Sequence, residues 1–204
     1  MFESTLYPTD PAQVDSFVAE MRHGTLIATP PGGHPSTTML PFVRRDGELE
    51  VHCVQADPTF AALQAEPRVT FLVSDFLAFT PHDFVDPVDA GRATLNFRAV
   101  AFECDATWST DPAAVAAALN RLLLAYEPAG AYAPPIPGPR YGPRLARLAA
   151  LRLRIVAVRA KFKVGPAVPA PRKLEVTARL RGRGEPGDAR AADVIERYLE
   201  SGES

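Results

Sequence analysis

The spacing of apolar residues changes along the chain between about 3.6 residues, which is typical of helices, and two, which is typical of strands. Helical spacing over residues 14–21 follows the start signal Asp10-Pro11, an N-cap before a proline. The same signal recurs at Asp57-Pro58 and Asp111-Pro112, each before apolar residues at helical spacing. Residues 189–200 form the last helical pattern. The sequence therefore predicts helices at its start, in its middle and at its end.

Strand-like patterns fill much of the remaining sequence. The predicted strands cover residues 25–29, 37–43, 49–54, 69–80, 94–108, 152–164 and 173–181. Asp46-Gly47 is a two-residue turn signal, so residues 37–54 are predicted to form a hairpin, and residues 25–29 to pair with its first strand. After Phe97 the apolar side of its strand shifts by one position, which predicts a β-bulge. Seven or eight strands with flanking helices predict a mainly β, α+β protein built on an antiparallel barrel.

Proline is about twice as common as the average of about 5%, at 21 of 204 residues, which favours short elements over long helices. Six of these prolines lie in residues 128–143, which are predicted to form a stiff loop. The length predicts one domain over residues 1–204. Residues 166–184 are predicted to be inserted in that domain as a basic strand.

The net charge of −2 hides an uneven distribution. Residues 1–138 carry a net charge of −10, whereas residues 139–184 carry +12. The basic segment could neutralise acidic groups of the same chain or of a partner subunit, bind an anionic small molecule, or bind nucleic acid. Its charges alternate along predicted strands, which argues against a helix that reads a DNA groove, so direct binding of nucleic acid is not expected.

Several chemistries lack their sequence signals. Only Cys53 and Cys104 are present, so no disulfide framework or paired-cysteine metal site is predicted, and a reducing compartment is expected. Phosphate-binding glycine loops and zinc-protease motifs are absent, and no catalytic residue is assigned. No long apolar run or signal-peptide pattern occurs, so the sequence predicts a cytoplasmic protein without a membrane span.

The predicted hairpin and the helix start that follows it have the strongest features of a binding site. Thr38 offers a hydroxyl and His52 a ring nitrogen, and residues 55–57 lead into a helix N-terminus that favours an anion. The alternative is an ordinary hairpin before a capped helix. Cys53 follows His52 on the opposite side of the strand, so it is predicted to belong to the core rather than to pair with His52.

The order of several short strings resembles that of the PaiB-type FMN-binding negative transcriptional regulators, a family of flavin-binding split barrels. The strings are His23-Gly24-Thr25-Leu26, Thr38-Met39-Leu40-Pro41-Phe42, Gly47-Glu48-Leu49, the stretch from His52 to Asp57-Pro58, Leu95-Asn96-Phe97, and Ala160-Lys161-Phe162-Lys163. The resemblance covers most of the chain. It implies a split β-barrel and FMN held without a covalent bond at the interface of a homodimer.

The resemblance also implies the site residues. Thr38, Met39, Leu40 and Pro41 would line the flavin, with His52, Val54, Gln55 and Asp57 near it, and with Asn96 and Lys161 carried over from their strings. Lys161 would be a partner of the phosphate or of the ring, because a cation there stabilises negative charge.

Two functions follow from the resemblance, a PaiB-like transcriptional regulator and a flavin-dependent oxidoreductase, and whether the protein is an enzyme stays open. The chain departs from the family pattern at Met39, where the family has histidine, and at Leu95, where it has tryptophan. These departures motivate an alternative from a different class, a flavin-free split-barrel dimer that regulates or binds a small ligand.

Overall fold

The structure, a computed structural model, describes Tyr7 and residues 9–200. Its helices are α1 (Pro11–Glu20), α2 (Pro58–Ala65), α3 (Pro112–Tyr126), α4 (Gly142–Leu145), α5 (Ala170–Arg183) and α6 (Asp188–Glu200). Its strands are β1 (His23–Ala28), β2 (Ser36–Pro41), β3 (Val43–Arg45), β4 (Glu48–Val54), β5 (Arg68–Thr80), β6 (Thr94–Ser109) and β7 (Leu148–Lys163). The predicted helices at α1, α2, α3 and α6 are confirmed.

The described strands form one seven-stranded sheet in the order β2-β1-β5-β6-β7-β4-β3. β1 pairs antiparallel with β2 and β5, and β4 pairs antiparallel with β3 and β7. This arrangement, with helices beside the sheet, confirms the predicted α+β class.

The predicted hairpin over residues 37–54 is correct only in part. β3 and β4 do pair around Asp46-Gly47, whose φ angles of 52° and 79° suit a tight hairpin turn. β2, however, pairs with β1 and lies at the opposite edge of the sheet from β3. The chain therefore passes from β2, at one end of the strand order, to β3, at the other end, through the single residue Phe42. The alternation of apolar residues does not predict this change of edge.

The chain divides into two compact units, and three strands and α1 contribute to both. Unit A comprises residues 1–14, 74–100 and 160–204, and unit B comprises residues 15–73 and 101–159. In unit B, α2 contacts β1 and β2, and α3 contacts β3 and β4. Leu26, Phe71 and Leu151 are among its fully buried side chains.

In unit A, the predicted strand over residues 173–181 is a helix. Residues 173–181, predicted to be a strand, belong to helix α5, which ends at Gly184 in a left-handed conformation with φ of 70°. The side chains that α5 buries are Val176, Thr177 and Leu180, which have helical spacing, whereas Leu174 is half exposed. The apparent alternation therefore combines the buried face of an amphipathic helix with one exposed leucine. The prediction that the inserted basic segment is a strand is wrong, because most of it is helix α5.

The helices α5 and α6 cover an edge of β5 in unit A. β1 pairs with β5 only at residues 69–72, so the following part of β5 extends beyond its partner. Arg183 donates a hydrogen bond to the carbonyl of Phe79 at 2.8 Å. A Cβ on Gly187 would lie 2.1 Å from the carbonyl oxygen of Leu77, so only glycine permits this approach, and its φ is 93°. The helices thus protect strand groups that would otherwise be exposed.

The predicted bulge near Phe97 in β6 is also wrong. Thr94, Asn96 and Arg98 are buried on the same phase as Val100 and the apolar residues that follow, while Leu95 is 44% exposed. The buried side of β6 is therefore continuous, and its first half carries polar side chains. A pattern that places only apolar residues inside assigns this half of the strand to the wrong face.

Much of the basic segment is neutralised within each unit, which is the first of the three alternatives for its charge. In unit A, Arg181 contacts Glu196 at 2.5 Å and Arg179 contacts Asp83 at 2.7 Å. In unit B, Arg159 contacts Glu103 at 2.6 Å. None of the helices in the described part of the chain has the length and apolar character to span a membrane.

Candidate functional site

The four predicted residues of β2 point to two opposite sides of the strand. Thr38 pairs with Leu26 and Leu40 with Gly24, and both partners are buried, which places these two side chains inward. Met39 is 67% exposed, and Pro41 lies on its side of the strand. Of these four residues, Met39 and Pro41 therefore present side chains to a molecule on the outer side of β2.

In β4 the predicted residues His52 and Val54 lie opposite the buried Cys53. Their partners across the ladder are Ala150 and Leu148 of β7. Val54 is 50% exposed, whereas His52 is half-buried, and this burial lowers the pKa of its imidazole below the ordinary value. Cys53 is confirmed as a core residue, and burial raises the pKa of its thiol to about 12.

Gln55 and Asp57 are occupied by contacts within unit B. The Gln55 amide nitrogen donates to the carbonyls of Ala146 and Leu148 at 3.1 and 2.9 Å. An Asp57 carboxylate oxygen accepts the backbone N–H of Thr59 at 2.8 Å, which caps α2. The helix start that was expected to favour an external anion therefore already holds the carboxylate of Asp57.

Asn96 and Lys161 belong to unit A, apart in the chain from the other eight predicted residues. Asn96 is completely buried, and its amide nitrogen donates to the Ala78 carbonyl at 3.0 Å and to the Thr80 hydroxyl at 2.8 Å. Its amide oxygen accepts the N–H of Gly165 at 2.9 Å. Asn96 therefore joins β5, β6 and the turn after β7. Lys161 is half-buried on β7.

Arg98, two residues after Asn96, forms a buried ion pair that the sequence does not predict. Arg98 donates to a carboxylate oxygen of Asp75 at 2.8 Å, and their side chains are 2% and 5% exposed. Arg190 of α6 reaches the same oxygen at 2.7 Å. The signal was present, since Asn96 and Arg98 share one face of a long strand, but the pattern of apolar residues assigned that face to solvent.

Two clefts of unit B are lined by residues outside the predicted set. One, of about 490 Å³, lies among α1, β3 and the end of α3, and includes Arg22, Arg44 and Tyr126. The other, of about 270 Å³, lies between α3 and the sheet and includes Trp108, Arg121 and Arg152. Within the described residues, no group of three or more His, Cys, Asp or Glu side chains could hold a metal ion.

Residues 1–158 match the model of the family described as "Putative FMN-binding domain". The chain belongs to this FMN-binding domain family. Membership confirms the predicted cofactor, FMN, and the flavin-binding character of the fold. No curated protein matches the sequence.

Solved structures support the fold. The flavocytochrome Anf3 from Azotobacter vinelandii is 20% identical, with a TM-score of 0.61, and the match covers 82% of this chain and 74% of that one. The FAD and heme binding protein from Mycobacterium smegmatis is 19% identical, with a TM-score of 0.59 and coverage of 81% and 77%. The conserved hypothetical protein Rv2991 from Mycobacterium tuberculosis is 21% identical, with a TM-score of 0.57 and coverage of 79% and 90%. These similarities confirm the split-barrel fold class.

The side chains on the outer sides of β2 and β4 fit the ring of FMN. Met39 and Val54 expose apolar surface of the kind that packs against a flat ring. Burial lowers the pKa of His52 and so favours its neutral imidazole. The phosphate, with a charge of roughly −1.5 to −2, needs cations or N–H donors. The eight predicted residues of unit B include no lysine or arginine, and Asp57 adds a negative charge. Among the ten predicted residues, Lys161 is the single lysine or arginine, and it lies in unit A.

Proposed function

We propose that the chain is a flavin-dependent oxidoreductase that binds FMN on the outer sides of β2 and β4, where a second copy of the chain completes the site. The observation that carries this proposal is the exposure of Met39 and Val54 at the predicted positions of a member of the FMN-binding domain family. Bound FMN would supply the electron-transfer chemistry, and the protein would supply position and exclusion of water.

Exposed apolar side chains on strands support the homodimer. In unit B, Val156 and Val158 of β7 are 58% and 44% exposed. In unit A, Phe76 of β5 is 59% exposed, and Leu95 of β6 is 44% exposed. Val156 and Val158 lie two positions apart on the same side of β7, and neighbouring exposed apolar side chains are typical of surfaces that another protein covers.

The predicted residues have different proposed roles. Met39, Pro41 and Val54 contact the ring, His52 offers a polar group at its margin, and Lys161 binds the phosphate or the ring. Thr38 faces inward, on the same side of β2 as Leu40. Leu40, Gln55, Asp57 and Asn96 act as positioning residues, because their side chains are buried or engaged in internal hydrogen bonds.

Of the two activities that the resemblance implies, the redox role is favoured over a PaiB-like regulator that contacts DNA. Regulation through direct contact needs a positively charged surface. Arg179, Arg181 and Arg183 of α5 instead face acidic partners in the same unit. A regulatory role of this protein would then act through another molecule.

The first experiment measures flavin uptake. Purified protein is mixed with FMN, freed of unbound cofactor by gel filtration, and examined by absorption spectroscopy. We expect the near-ultraviolet and visible bands of bound flavin, about one FMN per chain, and bleaching of the visible band on reduction with dithionite. Protein that retains no FMN would overturn the proposal and favour the flavin-free dimer. Riboflavin, which lacks the phosphate, measures the contribution of phosphate contacts.

The second experiment tests the dimer by light scattering coupled to gel filtration. The expected mass is about twice the chain mass of 22.0 kDa. Phe76→Ser should shift the protein toward the monomer. Ile136→Ser is the matched control, since Ile136 is 61% exposed but lies in the proline-rich loop, and it should leave the mass unchanged. A monomeric wild-type protein would remove the shared site.

A further inference from the structure

The cleft between α3 and the sheet in unit B, called here the Trp108 cleft, is lined among others by Glu50, Trp108, Ala117, Arg121 and Arg152. Its volume is about 270 Å³. Pockets for drug-sized ligands run to roughly 300–1,000 Å³, so this cleft suits a molecule with one ring. None of the ten residues predicted for the flavin lines it.

The charges in the Trp108 cleft do not balance. Glu50 is buried, with 9% of its side chain exposed, and its carboxylate accepts a hydrogen bond from Nε of Arg121 at 2.5 Å. That pair is neutral as a whole. Arg152 lies opposite Glu50 in the ladder between β4 and β7, but its side chain forms no ion pair or hydrogen bond with any residue that the structure describes. One positive charge at the cleft is therefore left for an external anion.

The opposite part of the cleft is apolar. Alanines 114, 117 and 118 of α3 leave space that larger side chains would fill. Trp108 is 39% exposed, and its ring meets that of Phe60 edge-on at a centroid distance of 6.2 Å, which fixes its position. A flat apolar group can pack against such a wall, since an exposed tryptophan loses contact with water when it is covered.

We propose that the Trp108 cleft binds a small aromatic carboxylate, with the carboxylate at Arg152 and the ring between Trp108 and the alanines of α3. A single negative charge matches the single unpaired cation, and one ring matches the volume. No residue predicted for the flavin lines this cleft, but Glu50 lies two positions from His52 on the outer side of β4, so competition with FMN is part of the test.

Trp108 is the single tryptophan of the chain, so its fluorescence reports on this cleft alone. The probe is benzoate, titrated to about 10 mM, a range that detects dissociation constants near 1 mM. Benzamide, of the same shape but without charge, is the matched ligand. We expect saturable benzoate binding and at least about tenfold weaker binding of benzamide, because the latter lacks the charged contact to Arg152.

Two variants locate the contact. Arg152→Gln removes the charge and should weaken benzoate binding by about tenfold. Arg154→Gln is the control, since Arg154 lies on the same strand but pairs with Asp105 and does not line the cleft. Both side chains are exposed, so both variants are expected to fold.

Calorimetry repeats the benzoate titration with saturating FMN. Unchanged benzoate affinity supports a separate site. Displacement by FMN would overturn the proposal by assigning the cleft to the flavin. The proposal also fails if benzoate gives no saturable signal, if benzamide binds equally well, or if Arg152→Gln binds benzoate as the wild type does.

Discussion

Two sets of residues come from the same family resemblance but differ in what their side chains do. In unit A, Asn96 is completely buried and bonds to three internal partners, next to the buried pair of Arg98 and Asp75. In unit B, Met39 and Val54 are half exposed or more and lie on strand faces open to an external molecule. A short motif shared with a family can therefore contain residues that hold strands together as well as residues that contact a ligand.

This difference separates two kinds of experimental effect. A buried polar side chain that loses its partner leaves other polar groups unsatisfied, and the cost appears in stability. An exposed apolar side chain contributes little to the free energy of unfolding, but it can contribute much to the affinity for a molecule that covers it. Substitutions in unit A should therefore change the free energy of unfolding, and those on β2 and β4 should change FMN affinity.

The largest effect is expected for Arg98→Met. It leaves the carboxylate of Asp75 buried, with Arg190 and the backbone N–H of residue 98 as partners. Breaking one side of a buried ion pair typically costs about 3–5 kcal/mol, which chemical denaturation measures as a lower free energy of unfolding. Arg154→Gln, in an exposed pair, is the control and should cost at most about 1 kcal/mol. Equal losses in the two variants would contradict the contrast.

Asn96→Ala should have the next largest effect on stability. It removes three hydrogen bonds and leaves the N–H of Gly165 without its acceptor, for a loss of about 2–3 kcal/mol. Asn120→Ala, which removes a single bond to the Pro135 carbonyl, should cost about 1 kcal/mol. Both are measured by denaturation. If Asn96 is only a positioning residue, the folded fraction of Asn96→Ala binds FMN with unchanged affinity.

The predictable part of the fold is the part in which apolar residues face inward. The start signals at Asp57 and Asp111 identified α2 and α3, and both carboxylates do cap their helices. The strand pattern failed for α5, where the half-exposed Leu174 completed an alternation by chance, and in β6, where Asn96 and Arg98 face inward. A buried polar side chain needs hydrogen-bond partners, and here these partners are distant in the sequence, so a local pattern of residues does not predict its burial.

The candidate site was predictable to a smaller extent. The strings identified the positions of β2 and β4, but alternation along β2 leaves only half of its predicted residues on the outer side. Asp57 illustrates a second limit, because one carboxylate cannot both cap α2 and leave the helix start free for a phosphate. The Trp108 cleft carries no sequence signal, since it depends on alanines of α3 that lie opposite residues from three strands.

Met39→Asp tests whether the exposed residues of β2 contact FMN. An added carboxylate on the outer side of β2 repels the anionic cofactor and removes an apolar contact, so FMN affinity should fall by about tenfold, near 1.4 kcal/mol. Leu124→Asp is the matched control, because Leu124 is also 67% exposed but lies on α3. Fluorescence titration of FMN measures both affinities. A Met39→Asp variant that binds FMN as the wild type does would exclude Met39 from the site.

Asp57→Ala should reduce stability by about 1 kcal/mol through loss of the N-cap of α2. Asp111→Ala, which removes the equivalent cap of α3, should have a similar effect, measured by thermal denaturation. FMN affinity distinguishes the two roles considered for Asp57. A positioning residue leaves that affinity within about twofold in the folded protein, whereas a direct contact would lower it well beyond the value of Asp111→Ala.

The smallest effect concerns the pH dependence of stability at His52. Burial lowers the pKa of His52 in the folded protein, so below about pH 6.5 the unfolded chain binds the proton more readily. The contribution of neutral His52 is therefore complete above that pH and is lost as the pH falls through the folded-state pKa. His52→Gln should lose less stability than the wild type between about pH 7.5 and 5.5, measured by urea denaturation. His23→Gln, at an exposed position, should follow the wild type, and if it flattened the pH profile as much as His52→Gln, burial at His52 would not be the cause.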